Sequence, residues 1–381
     1  MIRSRSDLAS IRRVVIKIGS SLLADAERGI RQSVVDHLAD EVARLMQAGK
    51  EVVVVTSGAV ALGRLKLGWL GRVLTVHEKQ AAAAIGQPEL MHAYSHSFAR
   101  HGRTVAQMLL TKDDLRHRRR YLNARNTSET LFGEGVVPVV NENDTVVVEE
   151  IKFGDNDTLG ALVGLLIDAD LMVMLTDVDG LYGANPQENP QAERIGVVES
   201  LTADIFAAAG GSGSSFGTGG MASKLQAAHL ATRGGVAAAI ISGKRDGTLR
   251  RLLDGEDEGT LFLCGEDRQG RRQHWIADLL RPAGIIRVDD GAARAVLTKG
   301  SSLLPVGVTS VEGMFDKGDC VEIVGSHGVI ARGLCNYNAE EMRRIMGHAS
   351  GDIETILGYR DFSSVIHRDN LVLLGTGGME E

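Results

Sequence analysis

One pattern dominates the first 255 residues: a short, unbroken apolar run, then a small or polar cluster, then a stretch with helical spacing. "RRVVIKIGSS" reads as a strand over 14–18 that ends in a Gly-Ser turn. Residues 33–48 place Val35, Leu38, Val42 and Leu45 on one helical face, and Gly49 closes it. "EVVVVTSGAVALG" repeats the strand and small-residue turn, and an alanine-rich helix is expected over about 78–100. "TVAQMLL", a polar helix over about 119–133, "GVVPVVNEND", "LMVMLT" and "GVAAAIISG" extend the series. Runs of this kind are apolar on both faces, so they belong in a parallel sheet covered by helices on both sides.

In such sheets ligands lie beyond the carboxyl ends of the strands. The polar clusters fall there one after another: Lys17-Gly19, Thr56-Ser57-Gly58, Asn141-Glu142-Asn143-Asp144 and Thr176-Asp177. A further stretch, "FGTGGMASKLQAAHLA" at 216–231, sets glycines and Thr218 against a helix start with Lys224 in its first turns. Glycines let backbone amides approach a ligand, and a helix N-terminus favours an anion. A lysine there is unfavourable unless an anion accompanies it, so the arrangement asks for a phosphate. It is not the G-x-x-x-x-G-K-[ST] loop.

At 381 residues there is room for more than one domain. Beyond about 283 the pattern changes to short alternating runs, "GIIRVDD", "CVEIVG", "GVIARGLCNY" and "LVLLG", with helices near 291–299 and 339–346. This predicts a small, mostly β domain. The charged, glycine-rich stretch "DGEDEGTLFLCGEDRQGRRQ" between the two regions reads as a linker or hairpin. A formal net charge of −7 argues against a dedicated nucleic-acid binder, and "RHRRR" at 116–120 reads as a solvated helix face. His117, inside it, receives no role. Cys264, Cys320 and Cys335 are widely spaced with no C-x-x-C, which argues against zinc and a disulfide framework and suits a reducing compartment. "MIRSRSDLASIRR" has basic residues but no apolar run after them, so a cytoplasmic protein is expected. Trp69 and Trp275 read as packing or loop residues.

The ordered set "VIKIGSSLL", "VTSGAVALG", "NENDTV", "GDND", "LTDVDGLY" and "GTGGMASK" resembles the amino-acid kinase family over nearly all of 12–255. The tail resembles a PUA domain, a small β-barrel. The fold class so implied is α/β, a doubly wound, mainly parallel sheet followed by that barrel. The expected boundaries are 1–268 for the kinase domain, 269–283 for a linker, 284–371 for the PUA domain and 372–381 for a tail.

Within the family the motifs are most similar to members that move the γ-phosphoryl of ATP to the side-chain carboxylate of L-glutamate, for proline synthesis. The resemblance implies Lys17, Asp157 and Lys224 as catalytic residues. It implies Lys17, Gly19, Thr176, Asp177, Thr218, Gly219, Gly220, Met221, Ala222, Ser223 and Lys224 at ATP, and Ser57, Gly58, Ala59, Asp144 and Asn156 at the acceptor. No metal ligand is assigned among the side chains; Mg²⁺ is expected to be held mainly through the phosphates. A homo-oligomer, dimer or tetramer, and proline feedback at the glutamate site are also expected, with no membrane partner. The acceptor carboxylate is ionised at neutral pH and needs no general base, so Asp157 is expected to hold the lysine ammonium groups. The loop before Lys224 is extended by serine and glycine and is expected to be disordered without nucleotide.

Plainer readings stand beside these. Lys17 could be a solvated strand end, Ser57-Gly58-Ala59 a helix N-cap, Asn143 and Asp144 a turn, and Thr176-Asp177 an Asx-type turn. Two other functions remain open at this point: a kinase for another amino-acid carboxylate, and an RNA-binding regulator that uses the tail.

Overall fold

A computed structural model describes residues 2–25, 29–146, 156–184, 189, 191–203, 205–206, 220–265 and 280–374. The chain divides into two compact units, Met1–Lys112 with Asn123–Gly265, and Asp113–Leu122 with Glu266–Glu381. Among the described residues, no helix is long and apolar enough to cross a membrane.

In chain order, the first unit carries β1 (Arg13–Ile18), α1 (Gln32–Gln47), β2 (Glu51–Val55), α2 (Ala59–Lys66), α3 (Val76–Ala99) and β3 (Val105–Leu110). Next come α4 (Arg118–Gly133), whose first residues fall in the second unit, β4 (Val137–Glu142), α5 (Asn156–Leu166), β5 (Leu171–Thr176) and β6 (Val197–Val198). The series ends with α6 (Met221–Arg233), β7 (Ala237–Ser242), α7 (Thr248–Leu253) and β8 (Thr260–Phe262). One eight-stranded sheet results, in the order β6-β8-β7-β5-β1-β2-β4-β3. Its long strands are all parallel; only β8 runs antiparallel to β7.

Strand alternation sorts the two faces. Ile16 and Ile18 join Val35, Leu38 and Val42 of α1 in the larger core cluster, whereas Val15 and Lys17 face α5. α3 begins at Val76, ahead of the expected start, because Thr75 and Glu78 form a capping box: Glu78 N–H donates to Thr75 Oγ1 at 3.3 Å and Thr75 N–H to Glu78 Oε2 at 2.9 Å. α2 and α3 touch backbone to backbone, since a Cβ on Gly63 would lie 1.8 Å from Ala82 O, and one on Gly86 1.8 Å from Ala59 O.

The stretch read as a linker or hairpin is corrected in part. Thr260–Phe262 is a buried strand that pairs with both β7 and Val197–Val198. Its three residues are wholly buried, and the charge around them masked that signal.

The second unit has β9 (Gly284–Val288), α8 (Asp290–Lys299), β10 (Val308–Gly313), β11 (Cys320–Gly325), β12 (Gly328–Leu334), α9 (Ala339–Ile345), α10 (Ile353–Leu357) and β13 (Leu371–Leu373). They form a sheet in the order β10-β9-β11-β12-β13, antiparallel except between β9 and β11. Its own core includes Ile286, Val321, Ile323, Tyr337, Met342 and Ile353. Asp289 caps α8 and Asn338 caps α9 through their side chains. Within this unit Arg119 Nη2 lies 2.8 Å from Asp316 Oδ2, and Arg120 Nη1 lies 2.9 Å from Asp114 Oδ1. Arg116, His117, Arg119 and Arg120 are exposed, a solvated face laced with acids. All three cysteines are free and buried.

Candidate active site

Lys17 is the penultimate residue of the central strand β1, where alternation turns its side chain toward α5. α5 comes close there because Gly160 has no side chain: a Cβ would stand 2.7 Å from Met172 Cε and 3.4 Å from Lys17 Cβ. The lysine stem therefore runs beneath the helix, and its ammonium meets Asp157 in the first turn of α5. Lys17 is 4% exposed and Asp157 0%.

Asp157 Oδ1 pairs with Lys17 Nζ, while Oδ2 lies 3.4 Å from Lys224 Nζ and accepts from Ser223 Oγ at 3.0 Å. Lys224, 7% exposed, stands in the first turn of α6, whose N-cap is Gly220. Ser223 Oγ also lies 2.9 Å from the Gly220 carbonyl oxygen, which ties the carboxylate to the helix start. Burial lowers the pKa of Lys17 below the ordinary lysine range; Asp157 opposes that shift and the Lys224 charge adds to it. Two ammonium groups against one carboxylate leave these three side chains net positive, which suits a polyanionic ligand. Asp157 has both oxygens committed to cations or a hydroxyl, so it orients the lysines.

Gly19 and Thr176 follow or end adjacent strands. Gly19 N–H donates to Leu175 O at 3.2 Å, and the Thr176 carbonyl accepts from Gly243 N–H at 2.7 Å. Thr176 Oγ1 donates to Asp177 Oδ1 at 3.1 Å, a pairing between side chains and not the side-chain-to-backbone bond of an Asx-type turn. Met221 and Ala222 open α6 beside Ser223. Thr218 and Gly219, and the loop expected to be disordered, lie outside the described residues.

Among the residues expected at the acceptor, Ser57 does not cap α2. The N-cap is Gly58, at φ 102°, a conformation that glycine adopts without strain, and Ser57 Oγ donates instead to Ile18 O at 3.1 Å. That bond joins the β2 turn, with Ala59 behind it, to the end of β1. Asn156, 7% exposed, donates from Nδ2 to Thr56 O at 2.6 Å and to Asn141 Oδ1 at 2.9 Å. At the end of β4, Asn143 closes the turn, with Val146 N–H donating to its carbonyl at 3.1 Å and Thr145 Oγ1 to its Oδ1 at 2.7 Å. Asp144 takes no part in that bonding. Burial pushes its carboxyl up to about 7, and the Glu142 charge adds to the shift.

Sequence reasoning did not single out Asn141 individually, nor Tyr94, Gln87 or Gln107. Yet Tyr94 Oη meets Thr56 Oγ1 at 2.9 Å, and Asn141 Nδ2 donates to Gln87 Oε1 at 2.8 Å. Polar residues inside an otherwise alanine-rich helix were the available signal. A cavity of about 620 Å³ lies on the other face of the sheet, lined by residues such as Ile18, Leu22, His37 and Leu175, and touches none of the lysine–carboxylate cluster.

The fold and this site define a class. Residues 12–242 match the amino acid kinase family, and residues 284–357 match the PUA domain. The chain belongs to the amino acid kinase family. It is 52% identical to glutamate 5-kinase of Geobacter sulfurreducens over 96% of this chain and 99% of that protein. Glutamate 5-kinases of Trichlorobacter lovleyi, at 52% over 97% and 99%, and of Geobacter metallireducens, at 53% over 96% and 99%, are similar to the same extent. Among solved structures, isopentenyl phosphate kinase shares 19% identity at a TM-score of 0.48, covering 66% of this chain and 100% of its own.

Proposed function

We propose that the chain is an ATP-dependent kinase for the side-chain carboxylate of L-glutamate, forming γ-glutamyl phosphate at the entry to proline biosynthesis. Full-length similarity to glutamate 5-kinases supports the activity. The observation that carries the site is the division of labour at the start of α5: Asn156 reaches Thr56 and Asn141, and Asp157 beside it reaches Lys17, Ser223 and Lys224.

In this reading a carboxylate oxygen of glutamate attacks the γ-phosphorus of ATP, the bond to the β–γ bridging oxygen breaks, and ADP leaves. Little covalent chemistry is asked of the protein, and much positioning and charge neutralisation. Lys17 and Lys224 offset charge on the transferring group, and Asp157 with Ser223 keeps them aimed. Gly19, Thr176, Asp177 and the start of α6 are assigned to the nucleotide. Ser57, Gly58, Ala59, Asp144 and Asn156 are assigned to glutamate, with Asp144 and the Asn156 carbonyl toward its α-ammonium group.

Asp157 is already engaged by three groups, and among the described residues no cluster of three or more metal-ligating side chains occurs. We assign no side chain to Mg²⁺; held through the ATP phosphates, it would supply neutralisation of the charge on the transferring group. Family resemblance supports a cytoplasmic homo-oligomer with proline as a feedback ligand on the glutamate side. Incubation with ATP, glutamate and hydroxylamine tests the activity, because an acyl phosphate is trapped as its hydroxamate; absence of hydroxamate would refute it.

A further inference from the structure

We propose that Gln87 is a positioning residue for the amino-acid acceptor, acting through Asn141 to hold Asn156 as a pure hydrogen-bond acceptor toward the α-ammonium group. This rests on the assignment of glutamate as substrate. An Asn amide has two N–H donors and one carbonyl, and its orientation follows from its partners. Asn156 Nδ2 faces the Thr56 main-chain carbonyl at 2.6 Å, which can only accept, so that end of the amide is nitrogen. Its second hydrogen goes to Asn141 Oδ1 at 2.9 Å. Asn141 Oδ1 is fixed as oxygen by the Glu142 main-chain N–H, also at 2.9 Å. With both hydrogens of Asn156 committed, only its Oδ1 remains for a ligand. A carbonyl oxygen suits an ammonium group and rejects a carboxylate.

The chain of amides continues. Asn141 Nδ2 donates to Gln87 Oε1 at 2.8 Å, and Gln87 Nε2 donates to Gln107 Oε1 at 2.8 Å. All the bonds run in one direction, from Asn156 toward Gln107. Aligned hydrogen bonds polarise one another, and an amide that donates gains negative charge on its own oxygen. The chain thus strengthens Asn156 Oδ1 as an acceptor as well as aiming it.

α3 supplies both supports. Gln87 holds Asn141, and Tyr94, two turns further along, holds Thr56 through the 2.9 Å hydroxyl contact. Gly86, next to Gln87, is where α3 presses on α2, so the helix has little freedom to shift.

The test compares Gln87→Leu with Gln87→Glu in the full-length protein, measuring the KM for glutamate, the KM for ATP, kcat and Tm. The Leu variant is expected to raise the glutamate KM roughly three- to tenfold, the scale of one hydrogen bond, with kcat and the ATP KM within about twofold of wild type. The Glu variant still accepts from Asn141 Nδ2 and is expected to keep the glutamate KM within about twofold. An unchanged KM in the Leu variant, while the wild type turns over glutamate, overturns the proposal. Equal increases in both variants also overturn it, since they would mark a role in packing alone. If the Leu variant is insoluble, Gln107→Leu at the exposed end carries the test: a rise of about twofold or more supports the proposal, and no change overturns it. A wild type that fails to turn over glutamate refutes the substrate assignment and the proposal with it.

Discussion

Asn156 and Asp157 are neighbours in sequence at the start of α5, yet their side chains engage different halves of the site. Asn156 donates to Thr56 O and Asn141 Oδ1, and Asp157 holds Lys17, Ser223 and Lys224. Successive residues in a helix point about 100° apart, so one turn of α5 holds these two polar groups in fixed register. The close approach at Gly160 sets the depth of that turn.

Replacing either lysine tests the charge cluster. Lys224→Met and Lys17→Met are each expected to fold and to lower kcat by roughly two to three orders of magnitude, the scale for one preorganised electrostatic stabiliser. Circular dichroism checks the fold and steady-state kinetics the rate. Near-normal turnover in either variant removes that lysine from the chemistry.

Asp144, assigned to the α-ammonium group, is expected to make glutamate binding depend on pH. Its folded pKa is raised from 3.8 to about 7 by burial and by Glu142, so in the ligand-free protein its contribution to stability is fully present only below the unfolded value and is lost as pH rises from there through about 7. An ammonium ligand needs the ionised form. The glutamate KM should therefore fall as pH rises through about 7 and then level off, and binding near that pH should release a proton. Asp144→Asn should raise the KM roughly tenfold, about 1.4 kcal/mol, and flatten the profile. Glutamate kinetics across pH and calorimetry in buffers of different ionisation enthalpy check this. A KM in the variant equal to that of wild type contradicts the role.

Much of this architecture is written in local patterns, and the part that is not follows from distance along the chain. The parallel core strands announce themselves because they are apolar on both faces. Thr260–Phe262 does not, since three residues cannot display a period. Val308–Gly313 went unread because it is largely polar and part-exposed. Lys17, Asp157 and Lys224 can be picked out as motif residues, but a pairing across sixty or more residues has no periodicity to reveal it. The amide chain is harder still: Gln87 lies in a helix of weak amphipathicity, and its partner Asn141 is 54 residues away.

Gly86→Ala probes the contact between α2 and α3. The added methyl would overlap the Ala59 carbonyl, a backbone atom that cannot swing aside, so the helices must separate. Destabilisation of at least about 1–3 kcal/mol is expected, with a raised glutamate KM because Ser57-Gly58-Ala59 and Gln87 both move. Thermal melts and kinetics check it; an unchanged Tm contradicts the close packing.

A chain ending at residue 268 should remain a kinase, because every residue assigned to the reaction precedes position 225. Asp113–Leu122 would lose the rest of its unit, including the exposed Arg119–Asp316 pair, which is worth little by itself. Soluble truncated protein that binds ATP and shows no turnover would mean that the second unit completes the site.

Acceptor selectivity tests the central claim most directly. A site that places Asp144 and the Asn156 carbonyl at the α-ammonium group should reject an acceptor whose nitrogen is acylated and neutral, because such an acceptor forgoes the ion pair with Asp144 and offers one N–H where the ammonium offers three. With ATP and hydroxylamine, the full-length protein is expected to form hydroxamate from L-glutamate and little or none from N-acetylglutamate. Comparable hydroxamate from both acceptors would contradict the substrate assignment.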